Sequence, residues 1–465
     1  MASAARRIAS PSTAASEALR ADEATVHRRA VEAALWGMPL VNFDALRRAY
    51  LRDAGAKYND VVYWSKPADW RTQFPTPNAS TKYALVFVNL KGGPVVVEIP
   101  AADDIAVRGS LIDAWNVPMI DVGDDGADRG WGGRYLVLPP DSPDDEANDH
   151  IAVRSATYNN YVLLRLITAG IGDDDPRRVT SWVGSVRVYP RTRAIRPPPT
   201  RCLDLSGMVF DAIPCYDPGF YASLARVVAE EPVQGRDLAM LGQCWCLGIG
   251  AGARFEPDAV TRMVLHRAIT DAHAAMRDRW ALQGTPWWPR RHWRSLIDAA
   301  AVETDMRFIV PGRRLMVDER AATFFARSGV AADPRSLAAV HLKTHTDQDG
   351  EPLDGAMPYR LRVPGDVPAS QFWSVAVYDV DSAGFIRGAP VVGRDSYDQR
   401  LERHADGSVD LFFAPEPPPH QETNWIYTAP DRAWFVLFRV YGPGTSLADR
   451  SWELPDIERI WQPPH

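Results

Sequence analysis

Apolar residues recur at helical spacing from about residue 22 to 36 and stop at Gly37-Met38-Pro39, where Pro39 can open a second short helix. From Tyr83 the texture changes to short apolar runs bounded by Gly, Pro or Asp. YALVFVNL, PVVVEIP, VRGSLID, GRYLVL and GSVRVYP predict strands. They read as an antiparallel sandwich or barrel-like region to about residue 195. The stiff, strand-breaking segment around Pro197, Pro198 and Pro199 predicts a linker.

Helical patterning returns from Asp217 to about Ala332, with helices expected near 219–231, 235–249, 258–282, 290–303 and 317–327. Strands resume after Asp354-Gly355 with MPYRLRVP, QFWSVAVYD, VDLFF and AWFVLFRVY. Both β regions share a theme: a strand ending in Pro100 or Pro364, an acidic link, then a strand ending in Asp113 or Asp379. A duplicated sandwich and ordinary likeness between β-hairpins both account for it. The expected division is a disordered tail (1–21), a helical hairpin plus β domain (22–195), a linker (196–216), a helical region (217–340) and a C-terminal β-sandwich (341–465).

At 465 residues the chain is too long for one core. Its 46% hydrophobic and 24% charged residues match an ordinary globular protein, so disorder or a fibrous repeat does not explain the bulk. The net charge of −7 argues against nucleic acid or an anionic membrane as partner, since both require a basic surface. No apolar run reaches the ~20 residues of a membrane span, and the first residues lack a secretory apolar core. A cytoplasmic location is the expectation. Four cysteines are too few for a disulfide scaffold. Cys244 and Cys246 sit two apart on a predicted helix, where they point to different faces, and Cys202 and Cys215 would pair only in an exported protein.

PNASTKY at Pro77 to Tyr83, GGPVVVEIP and LIDAW at Leu111 to Trp115 resemble domain of unknown function 1254. VPASQFWSVAVYD, DGSVDLFF, NWIYTAP, AWFVLFRVYGP and SWELP are similar to domain of unknown function 1214, and both occur in the order of a two-domain family. The resemblance implies two jelly-roll-like β domains with helices between or around them, a multidomain α+β protein, and implies no chemistry. Two departures stand out. The family's N-x-D-T-x-Y is Asn78-Ala79-Ser80-Thr81-Lys82-Tyr83 here, so a carboxylate has become a hydroxyl, and its N-W-L-P-x-P is Asn424-Trp425-Ile426-Tyr427-Thr428-Ala429-Pro430. Many members are exported, while this chain shows no signal.

Four constellations could carry chemistry. Asn78, Ser80, Thr81 and Tyr83 enter one strand as Asp113 and Trp115 leave a neighbour; in a shared cleft, burial would raise Asp113 into the range for acid–base work. The same residues also suit plain turn and cap chemistry. His341, His345 and Asp347 lie in a predicted strand that sets the imidazoles ~13 Å apart, too far for one metal ion. Trp280, Trp287, Trp288, Arg290, Arg291, His292, Trp293 and Arg294 could line a ligand or plug a core. The aromatic spine of the last strands is ordinary core, with Asp379, Asn424 and Arg439 as polar members that need partners. No nucleophile elbow, phosphate loop or zinc motif is present.

The expectation is therefore a small-molecule enzyme with cofactor-independent acid–base chemistry (hydrolysis, elimination or cyclisation) in a pocket between the N-terminal β domain and the helical layer. Tyr83, Asp113 and Arg165 are its catalytic candidates. Asn78, Thr81, Trp115, Trp287, Trp288 and Trp293 are its ligand-binding candidates. No metal and no cofactor is expected, the partner is a small molecule, and a homo-oligomer is compatible with the aromatic patches. The rival is a non-catalytic glycan- or ligand-binding, or oligomeric structural, sandwich protein.

Overall fold

The computed structural model describes residues 22–102, 105–143, 149–168, 175–310, 312, 314–328 and 339–460; the expected tail lies outside them. It is a mixed α+β protein with eight α-helices, among the described residues, and several open sheets. None of these helices is long and apolar enough to cross a membrane.

The entry helix Glu23–Arg52 is capped by Asp22, whose carboxylate accepts from Thr25 N at 2.8 Å. It does not break at Pro39, as the sequence pattern suggested. The helix runs through that proline because every residue from Ala33 to Asp44 is buried, and tertiary packing outweighs the local cost. Polar side chains from elsewhere also bind carbonyls there: Arg320 donates to Trp36 O at 2.8 Å and Asn116 to Pro39 O at 2.6 Å. Gly37 admits a neighbour, since a Cβ there would lie 2.5 Å from Leu224 Cδ1.

Helices Gly219–Glu230, Ala259–Leu282 and Val317–Ala326 pack around the entry helix as one layer. In Ala259–Leu282 the buried Leu265, Ala268, Ile269, Ala272, Met276 and Trp280 recur at helical spacing, which directs one stripe inward. Residues 290–303, expected as helix, instead hold the edge strand Arg294–Ser295 and the short helix Ala299–Glu303. The backbone of Trp287 pairs with that of Trp293 at 2.8 Å, closing a loop that delivers the strand to its sheet.

In the N-terminal half, six strands form one sheet in the order Cys202–Asp204, Val61–Tyr63, Lys82–Asn89, Asn159–Thr168, Ile105–Asp113 and Pro118–Gly123. The first of these comes from the expected linker. Four more form a second sheet: Arg187–Pro190, Val95–Ile99, Gly133–Leu138 and Ile151–Arg154. Alternation divides the larger sheet's residues. Val86 and Val162 face a core shared with the smaller sheet, whereas Leu85, Phe87 and Tyr161 face the helices, where Phe43 meets Phe87 at 5.4 Å.

The C-terminal half also has two sheets. One runs Arg294–Ser295, Ala339–Thr344, Trp434–Pro443, Ala369–Asp379, Gly393–Asp395; the other runs Trp425–Tyr427, Val409–Ala414, Tyr359–Val363, Glu458–Arg459. Trp280 reaches Phe435 at 6.5 Å, so the helical layer has a large sheet on each side.

Candidate functional site

Where the two large sheets approach each other beside the helical layer, they enclose a cavity of about 20 Å³, room for one or two water-sized groups. The N-terminal sheet contributes Tyr83 and Arg165, which are direct cross-strand partners. The C-terminal sheet contributes His341 and Arg439, also cross-strand partners, and Tyr441 two residues further along. Arg327 and Ser328 enter from the end of helix Val317–Ala326. That end is pinned by Asn42 of the entry helix, which donates to Phe324 O at 2.7 Å and accepts from the Ser328 hydroxyl at 2.8 Å.

The segment before Tyr83 threads between the halves. Its backbone carbonyls are gripped by the C-terminal half: Tyr378 donates to Pro77 O at 2.5 Å, and Arg439 Nη2 to Thr76 O at 3.2 Å. Asn78 sets both phenols. Its backbone N–H donates to the Tyr83 hydroxyl at 2.9 Å and its side-chain amide to the Tyr441 hydroxyl at 2.5 Å. Each phenol oxygen thus already accepts a hydrogen bond and keeps its own proton to donate. Ser80, where the family has an acid, donates its N–H to Asn78 Oδ1 at 2.8 Å and holds that amide in place.

Electrostatically the cavity is cationic. Burial, then the guanidiniums of Arg165 and Arg439, push Arg327 down to about 9. Burial, followed by Arg439, Arg327 and Arg165, holds His341 well below the usual imidazole range, so it is neutral. Arg439 Nη1 and His341 Nε2 are buried without a hydrogen-bond partner. None of the described residues lining the cavity carries a carboxylate. Such uncompensated buried groups are costly unless a ligand completes them.

The other candidates lie elsewhere. Asp113 is buried in a turn, where its Oδ1 accepts from the backbone N–H groups of Trp115 and Val117, both at 2.9 Å. Burial pushes it up to about 6. Trp115 is buried against Trp36 at 5.2 Å, with Arg320 over its ring at 5.1 Å. Both lie towards the helical layer, where the pocket was expected; neither lines the cavity, which is bounded by residues of both β halves together with Arg327 and Ser328. Thr81 is buried with its hydroxyl unpartnered. Trp288 and Trp293 are fully buried and Trp287 half-buried, packed on the C-terminal half through Trp452 and Phe438. A groove of about 530 Å³ beside them is lined by Arg290, Arg291, His292, Arg294 and His345, but Arg291 is already paired with Glu453 at 3.3 Å.

All four cysteines are free thiols. Among the described residues no group of three or more His, Cys, Asp or Glu could hold a metal. His341 lies on a strand as expected, while His345 falls just beyond it and stacks on Phe435 at 4.8 Å. Arg327 and Ser328 were missed from sequence, because nothing in FARSG marks a site. Arg165 and Arg439 did carry a signal: each is a lone charge inside an apolar strand.

A protein of two β-sheet halves joined by a helical layer, with its cationic cavity at their junction, is the class this geometry defines. The profile of the protein of unknown function DUF1254 matches residues 58–190, and that of the protein of unknown function DUF1214 matches residues 338–445. The chain belongs to the family that joins these two domains. The VPA0106 protein from Vibrio parahaemolyticus is similar in structure, with a TM-score of 0.55 at 14% identity, covering 94% of this chain and 100% of its own; it supports the fold alone. An uncharacterised protein from Burkholderia cenocepacia aligns with a TM-score of 0.41 at 11% identity over 94% of this chain and 95% of its own. No curated protein matches significantly.

Proposed function

We propose that this protein is an enzyme that binds a small organic anion in the cavity between its β halves and moves a proton on it without a cofactor. Each half is read as a jelly-roll-like β-sandwich. The observation that carries the reading is the excess of hydrogen-bond donors, and the lack of any carboxylate, among the described residues of the cavity wall. Arg165, Arg327 and Arg439 offer guanidinium forks, and Tyr83 and Tyr441 offer phenol protons. Guanidinium forks match the two oxygens of a carboxylate. Donors fixed before the reaction stabilise negative charge as it develops, and they are strongest where water is excluded. His341 is the one described cavity group able to accept a proton while neutral, and an arriving anion offsets the guanidiniums that hold its basicity down.

The size of the cavity favours a carboxylate-sized group over a glycan or nucleotide. A non-catalytic ligand-binding protein would hold the same anion without turnover. Native mass spectrometry after incubation with a cell metabolite extract separates the readings: the wild type retains or converts a small acid, and Arg439→Gln does neither. Retention without conversion supports binding alone. Equal retention by Arg439→Gln removes the cavity from consideration.

A further inference from the structure

The two halves share one strand plan. Beyond two leading strands in the N-terminal large sheet and one in the C-terminal, each has four strands in matching order: Lys82–Asn89, Asn159–Thr168, Ile105–Asp113, Pro118–Gly123 in one, and Ala339–Thr344, Trp434–Pro443, Ala369–Asp379, Gly393–Asp395 in the other. The small sheets match too, down to the parallel pairs Gly133–Leu138 with Ile151–Arg154 and Val409–Ala414 with Trp425–Tyr427. The register fixes equivalences residue by residue. Asp113 pairs with Asn160, and Asp379 with Trp434. Counting along the central strands from those pairs, Arg165 and Arg439 fall on the same position, within Val162-Leu163-Leu164-Arg165-Leu166 and Val436-Leu437-Phe438-Arg439-Val440. Their cross-strand partners, Tyr83 and His341, are then equivalent as well.

Equivalent positions also gather in one place. Ile167 and Tyr441 correspond by the same count, and they belong to one small buried cluster with Phe372, packed against by Ala106. Phe372 and Ala106 correspond as well, so the two halves bring matching positions to a shared contact. The cavity lies beside this contact, so each half presents to it one arginine and one differing neighbour.

We infer that the chain is an internal duplication whose halves act on opposite sides of one bound carboxylate, His341 of the C-terminal half removing a proton from the adjacent carbon and Tyr83 of the N-terminal half delivering one to it. The inference rests on the acid–base reading above and names its substrate class: small carboxylates with a hydrogen on carbon 2. The step balances. The C–H electron pair moves into the carboxylate as an enediolate held by Arg165 and Arg439, His341 becomes an imidazolium, and Tyr83 loses its proton to carbon. The imidazolium proton then returns to the phenolate through solvent. No oxidant or second reactant is needed. Equivalent arginines explain why the clamp is symmetric, and the Tyr-for-His difference explains why its acid and base are not.

The test uses the full-length protein in D₂O with a defined panel of the smallest chiral acids, lactate, alanine, glycerate and serine, whose carboxylate matches the cavity's size. Thermal stabilisation reports binding, proton NMR reports exchange at carbon 2 and polarimetry reports inversion there. Exchange with inversion is expected in at least one bound acid, exchange falling about 100-fold or more in His341→Gln and inversion by as much in Tyr83→Phe. Either variant alone decides its residue's role, so one that does not fold leaves the other informative. Binding with no exchange in any panel member overturns this inference while leaving the anion site standing. Exchange undiminished in His341→Gln, or inversion undiminished in Tyr83→Phe, overturns it too. No binding by any member removes the anion site itself.

Discussion

The side-chain amide of Asn78 donates to the hydroxyl of Tyr441 at 2.5 Å across the junction of the two halves, while its backbone N–H donates to Tyr83. One residue of the N-terminal half thereby orients a phenol from each half. It also occupies the phenol oxygens as acceptors, which leaves the cavity wall able to give hydrogen bonds and short of groups to receive them.

Asn78→Asp places a carboxylate among Arg165, Arg327 and Arg439. This internal anion should raise the melting temperature in anion-poor buffer and abolish the stabilisation that added malonate or sulfate gives the wild type. Asn78→Ala should instead cost about 1–2 kcal/mol, the range for a lost buried hydrogen bond. Thermal melts of the three proteins, with and without malonate, check both.

Arg327→Gln should not destabilise the anion-free protein at pH 7. Arg327 is pushed down to about 9 by burial and by its two arginine neighbours, so its charge opposes folding wherever it is protonated in the native state. The penalty is full below about pH 9 and fades above it. Urea unfolding should give a stability equal to or above wild type, and the stabilising effect of malonate should shrink at least several-fold.

Asp113→Asn should stabilise, and it should leave anion binding intact. Asp113 titrates near 6 in the fold against about 3.9 unfolded, so the native state holds the extra proton between those values and stability falls as pH rises through them. Asparagine keeps the Oδ1 that accepts both backbone N–H groups. The variant should gain on the order of 2 kcal/mol above pH 6 and nothing below pH 4. Chemical denaturation at pH 4 and pH 7 measures the difference, and a matching malonate titration shows whether Asp113 belongs to the site.

Lys343→Met should also stabilise. Lys343 is fully buried, donates to Trp280 O and sits 3.4 Å from that ring's centroid; burial, then Arg294, holds its amine well below the usual lysine range. The unfolded chain takes up a proton that the fold refuses, so stability rises with pH up to about 10.4 and the gain from methionine should be largest at low pH. Methionine fills nearly the same volume.

Much of the scaffold was legible in the sequence because strands such as YALVFVNL and AWFVLFRVY carry strong apolar runs, and the helices 219–231, 258–282 and 317–327 carry a clear period. Pro39 misled because burial of the whole surrounding turn outweighs a local breaker. Residues 290–303 misled because their helical spacing yields to pairing with Ala339–Thr344. Tyr83 and Arg165 could be singled out as candidates, since polar groups in apolar strands require partners. Their convergence with His341 and Arg439, some 170 to 360 residues away in sequence, depends on how two sheets face each other, which no local pattern encodes. Asp113 suited acid–base work by residue type, but its geometry is that of a turn.

The central claim is an anion site among Arg165, Arg327 and Arg439, and crystals soaked in bromide test it most directly. The account predicts an anomalous peak in the cavity, within hydrogen-bonding distance of Arg439 Nη1, which disappears in Arg439→Gln. Bromide elsewhere on the surface with none in the cavity of the wild type would contradict it.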